Sequence, residues 1–146
     1  MRDARDAFMQ SRGYRLAEYD ARVVKFPVPG FPRWSYPFPN PPARRWAVRR
    51  HDLHHVVTGY DTDYRGEIEV SAWECGAGLG RNYVAWLIPP SLFLLGLVVR
   101  PRSTWRAFQR GRACRRSLLG HDVTYAQLLD MTVAEARVYV GLQDER

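Results

Sequence analysis

The sequence predicts an all-α fold, a helical bundle that follows an extended proline-rich segment. Apolar residues recur at helical spacing after residue 43, helix-capping residues stand between these stretches, and no convincing alternation of apolar and polar residues indicates strands. A length of 146 residues predicts one domain. We divide it into a polar N-terminal segment (1–25), a proline-rich strap (26–42) and a helical core (43–142).

The composition is that of a folded, basic protein. Hydrophobic residues make up 46% of the chain, which excludes general disorder, and 22 Lys and Arg against 15 Asp and Glu give a net charge of +7. Lys25 is the single lysine, so arginine carries nearly all of the positive charge and favours carboxylate or phosphate partners. Two cysteines, Cys75 and Cys114, are too few for a disulfide framework, and we expect them to be small core residues in a reducing compartment.

The N-terminal segment predicts a short polar helix and no targeting sequence. Residues 1–22 contain four acidic residues, which transit peptides avoid, and they lack the apolar stretch of a secretory signal. We therefore expect a cytoplasmic protein.

The strap is defined by its prolines and aromatic residues. Residues 27–42 contain seven of the ten prolines of the chain. Aromatic residues stand between them: Phe26, Phe31, Trp34, Tyr36 and Phe38. This proline density forbids a helix and predicts an extended path across the core. A ligand for a proline-binding module is the alternative.

The helical core begins with two helices joined by a turn. Residues 43–59 carry spaced apolar residues and end at Gly59, a residue type favoured just past a helix end. The turn that follows offers three competent N-caps: Asp61, Thr62 and Asp63. A second helix is predicted from about Tyr64 through Glu74, ending in the glycines of residues 75–80.

An uncharged apolar stretch, residues 82–99, comes next. Pro89 and Pro90 stand in its middle and predict a broken helix over residues 81–99. Three interpretations remain open: a pair of half-helices that is buried or lines a groove, a segment that dips into a membrane surface, and a membrane span.

The C-terminal part predicts three further helices. Ser103 caps an arginine-rich helix over residues 104–119, which Gly120 closes. Two capping boxes open two short helices after it: Thr124 with Gln127, and Thr132 with Glu135.

Three of the four histidines, His51, His54 and His55, lie within five residues. His51 and His55 are four residues apart and project from one helix face, and Asp52 lies only about 100° around the helix from His51. Glu67 faces them if the two helices form an antiparallel hairpin. The spacing predicts a divalent-metal site formed by His51, Asp52, His55 and Glu67, with His54 pointing away. The alternative is a solvated His–Asp pair, with Glu67 favouring its helix N-terminus.

The stretch HDLHHVVTGYDTDYRGE (51–67) resembles the His-Asp-x-x-His-(eleven residues)-Glu signature of the ubiquinone (coenzyme Q) biosynthesis protein 4 family. All four signature positions match: His51, Asp52, His55 and Glu67. The similarity covers residues 34–142, including the placement of the C-terminal helices. Only fifty residues precede His51, so the chain resembles a short member of that family.

The resemblance implies an all-helical protein that holds one divalent metal ion through these four residues, and zinc is the ion we expect. It implies polyprenyl lipid substrates, peripheral association with the inner face of the cytoplasmic membrane, and other quinone-biosynthesis proteins as partners. The implied activity is the (oxidative) decarboxylation of a polyprenyl-hydroxybenzoate by a metal-dependent lyase. The apolar stretch 82–99 would suit the prenyl tail, and the seven arginines of residues 100–116 would suit lipid head groups.

Three other functions remain as alternatives. The first is a lipid-binding scaffold that keeps the metal for structural reasons. The second is a His-Asp-type metal phosphohydrolase, for which only His121 and Asp122 supply further ligands. The third is a nucleic-acid-binding module that uses arginines on one face of the arginine-rich helix. That helix also carries a small, close-packing face formed by Ala107, Gly111, Cys114 and Leu118. The arginines are then better explained as its solvated side, and we expect no nucleic-acid partner.

Overall fold

The computed structural model describes residues 1–11, 19–28, 31–114, 116–120 and 122–142. These residues form seven helices and one two-stranded sheet, so the predicted helical class is confirmed with a small addition. In chain order the elements are α1 (Arg2–Ser11), β1 (Val23–Val28), β2 (Phe31–Pro39), α2 (Pro42–Thr58), α3 (Tyr64–Ala77), α4 (Ile88–Val99), α5 (Pro101–Ala113), α6 (Tyr125–Asp130) and α7 (Val133–Val140). The helix predicted near the N-terminus forms as α1; residues 12–18 of that segment lie outside the described residues.

The proline-rich segment is extended, as predicted, and its described residues form a β-hairpin. β1 and β2 pair antiparallel, with Val24 opposite Phe38, so the prediction of no strands is wrong at this point. Each strand of a two-stranded sheet is an edge strand, and edge strands tolerate proline because one side of the backbone needs no partner. Trp34, Tyr36 and Phe38 on β2 are exposed. Asn40 anchors the hairpin: its side-chain amide donates to the carbonyl oxygen of Ala21 at 2.8 Å.

The two helices around the predicted turn have the predicted caps. α2 ends at Gly59, which has a φ of 77° and donates its N–H to the carbonyl oxygen of His55 at 2.9 Å. α3 begins after Asp63, whose carboxylate accepts the N–H of Gly66 at 2.7 Å. Gly66 is required here because a Cβ at this position would lie 1.9 Å from the carbonyl oxygen of Asp61. The turn therefore starts α3 at Tyr64, three residues before Glu67.

The apolar stretch differs from its prediction. The helix α4 begins only at Ile88, so Pro89 and Pro90 lie in its first turn and do not break it. The first turn is where a missing backbone N–H does no harm, because those groups have no partner within the helix. Residues before it form turns in which the Asn82 side chain accepts the N–H of Val84 at 2.9 Å. Among the described helices, none has both the length and the apolarity needed to cross a membrane.

The arginine-rich helix is shorter than predicted. α5 follows Arg100 directly, with Pro101 as its first residue, so Ser103 lies inside the helix and does not cap it. It ends at Ala113 because Cys114 is already extended, and the predicted continuation to residue 119 is wrong. Leu118 and Leu119 are instead buried in two different core clusters.

Both predicted capping boxes are present. Thr124 and Gln127 exchange side-chain and backbone hydrogen bonds at the start of α6, and Thr132 and Glu135 do the same at the start of α7.

The helix α3 lies at the centre of the core. It packs against both α4 and α5. Its contact with α5 is backbone to backbone: a Cβ on Gly111 would lie 2.1 Å from the carbonyl oxygen of Trp73, and a Cβ on Gly76 would lie 2.2 Å from that of Phe108. The main core cluster contains buried residues of α2, α3, α6, α7 and the connecting segments: Met1, Leu53, Val57, Trp73, Leu118, Leu128, Leu129, Ala136, Val140 and Leu142. The predicted small face of α5 is confirmed for Ala107 and Gly111, which are buried, but Cys114 and Leu118 lie beyond the end of the helix.

Candidate metal centre

Three of the four predicted ligands meet between α2 and α3. The Nε2 atoms of His51 and His55 lie 3.2 Å apart. Each of them also lies 3.3 Å from a carboxylate oxygen of Glu67. Among the described residues, these three offer metal-ligand atoms that all lie within 4.8 Å of one another. The cluster could hold a metal ion.

The separations suit a small divalent ion. Metal–ligand bonds of about 2.0–2.2 Å at tetrahedral angles place the ligand atoms about 3.3–3.6 Å apart. The observed 3.2–3.3 Å is close to that value, so little movement is needed to bring the three groups onto one ion. Two imidazoles and a carboxylate are also a donor set that such ions accept.

The second ring nitrogen of each histidine has its own partner. His55 Nδ1 lies 3.0 Å from the backbone carbonyl oxygen of Tyr60, a group that can only accept. His51 Nδ1 lies 2.8 Å from Oε1 of Glu74. Both imidazoles are therefore held with Nδ1 as the donor to its outer partner and Nε2 directed at the cluster, where a metal ion would take the place of an Nε2 proton. Such outer partners orient the histidine ligands of metal sites.

Asp52, the fourth predicted ligand, lies beside the cluster but is not one of its three members. Its carboxylate accepts a hydrogen bond from the hydroxyl of Tyr19. Burial raises the pKa of Asp52, although the nearby His51 and the Tyr19 hydrogen bond act in the opposite direction. Asp52 lines the same cavity as His51 and Glu67. The structure thus brings together His51, His55 and Glu67 and places Asp52 next to them.

His54 points away from the three clustered ligands, as predicted, but it is not a bystander. Its ring is fully buried and packs on Trp73, with the ring centroids 5.0 Å apart. Nε2 accepts the backbone N–H of Leu118 at 2.8 Å, and Nδ1 lies 2.6 Å from Oε1 of Glu74. His54 therefore connects the cluster to the segment that follows α5.

The neighbouring histidines lower the pKa values of two glutamates, Glu67 and Glu74. Burial opposes the ionisation of Glu67, but hydrogen bonds to His51 and His55 outweigh it and hold the pKa of Glu67 at about 2. Burial likewise opposes the charge of Glu74, and His51 and His54 lower the pKa of its carboxyl well below the usual range. Both carboxyl groups are thus anionic at neutral pH and favour a cation between the two helices.

A cavity of about 700 Å³ opens beside the cluster, within the size range of small-molecule sites. His51, Asp52, Glu67 and Glu74 form its polar wall. Its apolar wall comes from residues before and in the first turns of α4 and from the hairpin: Val84, Ala85, Ile88, Pro89, Leu92, Tyr36 and Phe38. Three cationic side chains also line the cavity: Lys25, Arg44 and Arg45. His55 instead borders a shallower cavity, where the Phe8 ring stacks on it at 5.6 Å.

Glu74 and Tyr19 were not among the predicted site residues. Glu74 carried a usable signal, because it follows Glu67 by seven residues and two helical turns return a side chain to almost the same face. Tyr19 carried none, since its contact with Asp52 joins residues 33 positions apart. Of the further ligands that a phosphohydrolase would need, His121 lies outside the described residues, and Asp122 binds Arg116 and Tyr139.

Comparisons of this chain with protein-family models, with curated proteins and with solved structures find no match.

Proposed function

We propose that this chain binds one zinc ion and supports the decarboxylation of a polyprenylated hydroxybenzoate in ubiquinone biosynthesis. The observation that carries the proposal is the position of the His51, His55 and Glu67 cluster beside a large, mainly apolar cavity. The signature at these positions, with Asp52 as the implied fourth ligand, supplies the choice of pathway. In this proposal α2 and α3 act as a metal-binding helical hairpin.

Zinc is favoured by the donor set. Nitrogen and oxygen ligands at the observed separations of 3.2–3.3 Å suit its short bonds and its tetrahedral preference. Three protein ligands would leave a fourth position for water or substrate, which is the arrangement of catalytic zinc sites. Asp52 as a fourth ligand would close the site and favour a structural role. The three-ligand site corresponds to the enzyme, and the four-ligand site with Asp52 corresponds to the lipid-binding scaffold.

The lining of the cavity matches an amphipathic acid. Ile88, Pro89 and Leu92 offer an apolar wall for a prenyl tail. Arg44 and Lys25 line the same cavity and offer positive charge to a carboxylate. An aromatic ring that carries a carboxylate and a prenyl tail would then lie near the proposed metal ligands, with its tail along the first turns of α4.

Decarboxylation breaks the bond between the ring carbon and its carboxylate, leaves the electron pair on the ring and releases CO2. When bound, the zinc ion supplies positive charge that stabilises the carboxylate or phenolate and the developing charge on the ring. The cationic side chains hold the acid, and the apolar wall limits access of water to the ring. A proton then takes the place of CO2. In the oxidative form dioxygen accepts the two electrons and becomes hydrogen peroxide, and water supplies the hydroxyl group that replaces CO2 on the ring.

The test is restoration of ubiquinone in cells that lack the decarboxylating step. The wild-type gene is expected to restore it, and His55→Ala is expected to abolish the rescue. Rescue by both genes would favour the lipid-binding scaffold over the enzyme. Rescue by neither would contradict the proposed substrate. In vitro, release of carboxyl-labelled CO2 from a prenylated 4-hydroxybenzoate provides the direct measurement.

The same function needs access to a membrane, and α4 offers a surface for it. Leu94 and Val98 are 63% and 80% exposed, and Trp86, Leu87 and Trp105 nearby in sequence are exposed as well. Arg100, Arg102 and Arg106, which follow or lie in the next helix, are also exposed. Apolar side chains next to arginine suit the boundary between acyl chains and anionic head groups. We infer peripheral binding to an anionic lipid surface through α4.

Vesicles of phosphatidylglycerol and phosphatidylcholine test this contact. The wild-type protein is expected to sediment with them, and Val98→Asp is expected to weaken binding several-fold. Val138→Asp is the matched control, because Val138 is 76% exposed on α7. Equal binding by Val98→Asp and the wild type would contradict the assignment.

A further inference from the structure

Glu74 occupies an unusual position for a carboxylate. It lies in α3, is 1% exposed, and is bonded to two histidines of α2 through a single oxygen: Oε1 lies 2.8 Å from His51 Nδ1 and 2.6 Å from His54 Nδ1. The other oxygen, Oε2, is buried and has no hydrogen-bond partner among the described residues. A buried ionised carboxylate with an unpaired oxygen costs stability, so its presence calls for a role other than holding the fold together.

The protonation of His54 is dictated by the backbone. Leu118 N–H donates to Nε2 of His54 at 2.8 Å, so that nitrogen must carry the lone pair. The ring proton of neutral His54 is therefore on Nδ1, where it is donated to Glu74. His54 in this tautomer donates to Glu74 and holds Oε1 in place by a hydrogen bond separate from the one that Oε1 accepts from His51.

The position of Glu74 in turn determines the tautomer of His51. An ionised carboxylate only accepts hydrogen bonds, so His51 must donate from Nδ1 to Oε1. Its Nε2 is then free of a proton in the neutral ring and lies 3.2 Å from His55 Nε2 and 3.3 Å from Glu67. The chain of contacts runs from the Leu118 backbone through His54 and Glu74 to a proposed metal ligand.

We propose that Glu74, held in place by His54, is a positioning residue that keeps His51 in its metal-binding orientation and tautomer. The inference rests on the proposed metal site. Carboxylates that accept from a metal-bound imidazole raise its basicity, and their loss typically weakens metal binding by about 10–100-fold.

The test compares zinc affinity in Glu74→Gln with that in Glu69→Gln. Glu69 is a matched control because it is a buried carboxylate on the same helix that binds Arg65, at 3.0 Å, and contacts none of the three histidines. Competition with a chromophoric chelator is expected to show about 10–100-fold weaker zinc binding in Glu74→Gln and unchanged binding in Glu69→Gln. The visible absorption of the Co²⁺-loaded protein is expected to change in Glu74→Gln alone.

Unfolding of the metal-free proteins separates positioning from a merely structural role. Glu74→Gln is expected to keep the unfolding midpoint of the metal-free wild type, because it removes a buried charge and keeps the shape of the side chain. Wild-type zinc affinity in Glu74→Gln, or a lowered metal-free midpoint with unchanged affinity, would overturn the inference while leaving the metal site intact. Failure of the wild type to bind zinc would instead remove the proposed site itself.

A second variant covers the case in which Glu74→Gln does not fold. Glu74→Asp keeps the charge on a side chain one methylene shorter, so it cannot reach both histidines in the same way. Weaker zinc binding by Glu74→Asp supports the positioning role, and wild-type binding by it overturns that role.

Discussion

At the scale of single residues, neighbouring histidines acquire different roles because each step along a helix turns the side chain by about 100°. His51 and His55 direct Nε2 at Glu67, whereas His54 lies on the buried side against Trp73. The bonds to Nδ1 then distinguish them further: a backbone carbonyl for His55 and a carboxylate for His51 and His54. The chemistry of this cluster thus depends as much on the acceptors around it as on the histidines.

Cys75 provides a prediction at the same scale. Burial raises the pKa of its thiol to about 12, and the adjacent Glu74 carboxylate contributes in the same direction. Because only the thiolate reacts, the reactive fraction at pH 8 is roughly 1,000-fold below that of an ordinary cysteine. Iodoacetamide at pH 8 is therefore expected to leave Cys75 unmodified in the native protein while it alkylates an unstructured cysteine peptide.

Peptide mapping by mass spectrometry provides the measurement. The same protein in urea is the control, since unfolding removes the burial and is expected to restore ordinary reactivity. Alkylation of native Cys75 at the rate of the free peptide would contradict the prediction.

Residue spacing was sufficient to predict that His51, His55 and Glu67 lie together, because their proximity depends only on helix geometry and a short turn. It was insufficient for Asp52, whose Tyr19 partner comes from a distant segment, and for His54, whose role depends on a backbone N–H 64 residues later in the chain. Contacts of this kind are set by the tertiary arrangement and leave no local pattern.

At the scale of elements, α3 and α5 pack closely through their backbones. Gly111 and Gly76 let the two backbones touch, because a Cβ at either position would lie within 2.2 Å of a carbonyl oxygen. This contact holds α3, which carries Glu67 and Glu74, in place against the core. Since a carbonyl of a helix backbone cannot move without disturbing its hydrogen bonds, space for a methyl group is not available.

Gly111→Ala is expected to destabilise the protein by about 1–3 kcal/mol, because the overpacking outweighs the gain in helix propensity. Urea unfolding followed by circular dichroism measures this change. Gln109→Ala, at an exposed position of the same helix, is the control and is expected to stay close to the wild type. A Gly111→Ala protein as stable as the wild type would mean that α3 and α5 can separate without cost.

Prolines explain where element boundaries were predicted correctly and where they were not. Their density correctly forbade a helix in the described residues between 27 and 41, but the pairing of β1 with β2 depends on a register that composition does not encode. Pro89 and Pro90 indicated a break in a helix, whereas the structure uses them to begin one. The caps at Asp63, Thr124 and Thr132 were predictable because each depends on residues only three apart.

At the scale of the whole molecule, the proposed ligands come from two helices and meet only in the folded chain. Zinc that binds the native state and not the unfolded chain stabilises the native state by about 2.7 kcal/mol at a concentration of 100 times its dissociation constant. For a chain of this length we expect the unfolding midpoint to rise by roughly 5–10 °C on zinc addition and to fall again with a chelator. Differential scanning calorimetry measures it. His55→Ala is the control, and an equal rise in that variant would place the stabilising zinc elsewhere.

The helix α4 connects the cavity beside the candidate metal cluster to an exposed apolar surface. The cavity beside the metal ligands is bordered by the first turns of α4, and the later turns of the same helix expose Leu94 and Val98. In the proposed function, a lipid substrate would therefore reach the site along the helix that contacts the membrane. In the same proposal the arginine excess has an acidic lipid surface as its partner and not a nucleic acid.

The central claim is that His51, His55 and Glu67 hold one metal ion, and the zinc content of the purified protein tests it most directly. Elemental analysis is expected to give about one zinc per wild-type chain, with little in Glu67→Ala. Glu69→Ala, the same change two residues further along α3, is expected to keep the metal because Glu69 is bonded to Arg65. Equal zinc content in the wild type and in Glu67→Ala would contradict the claim.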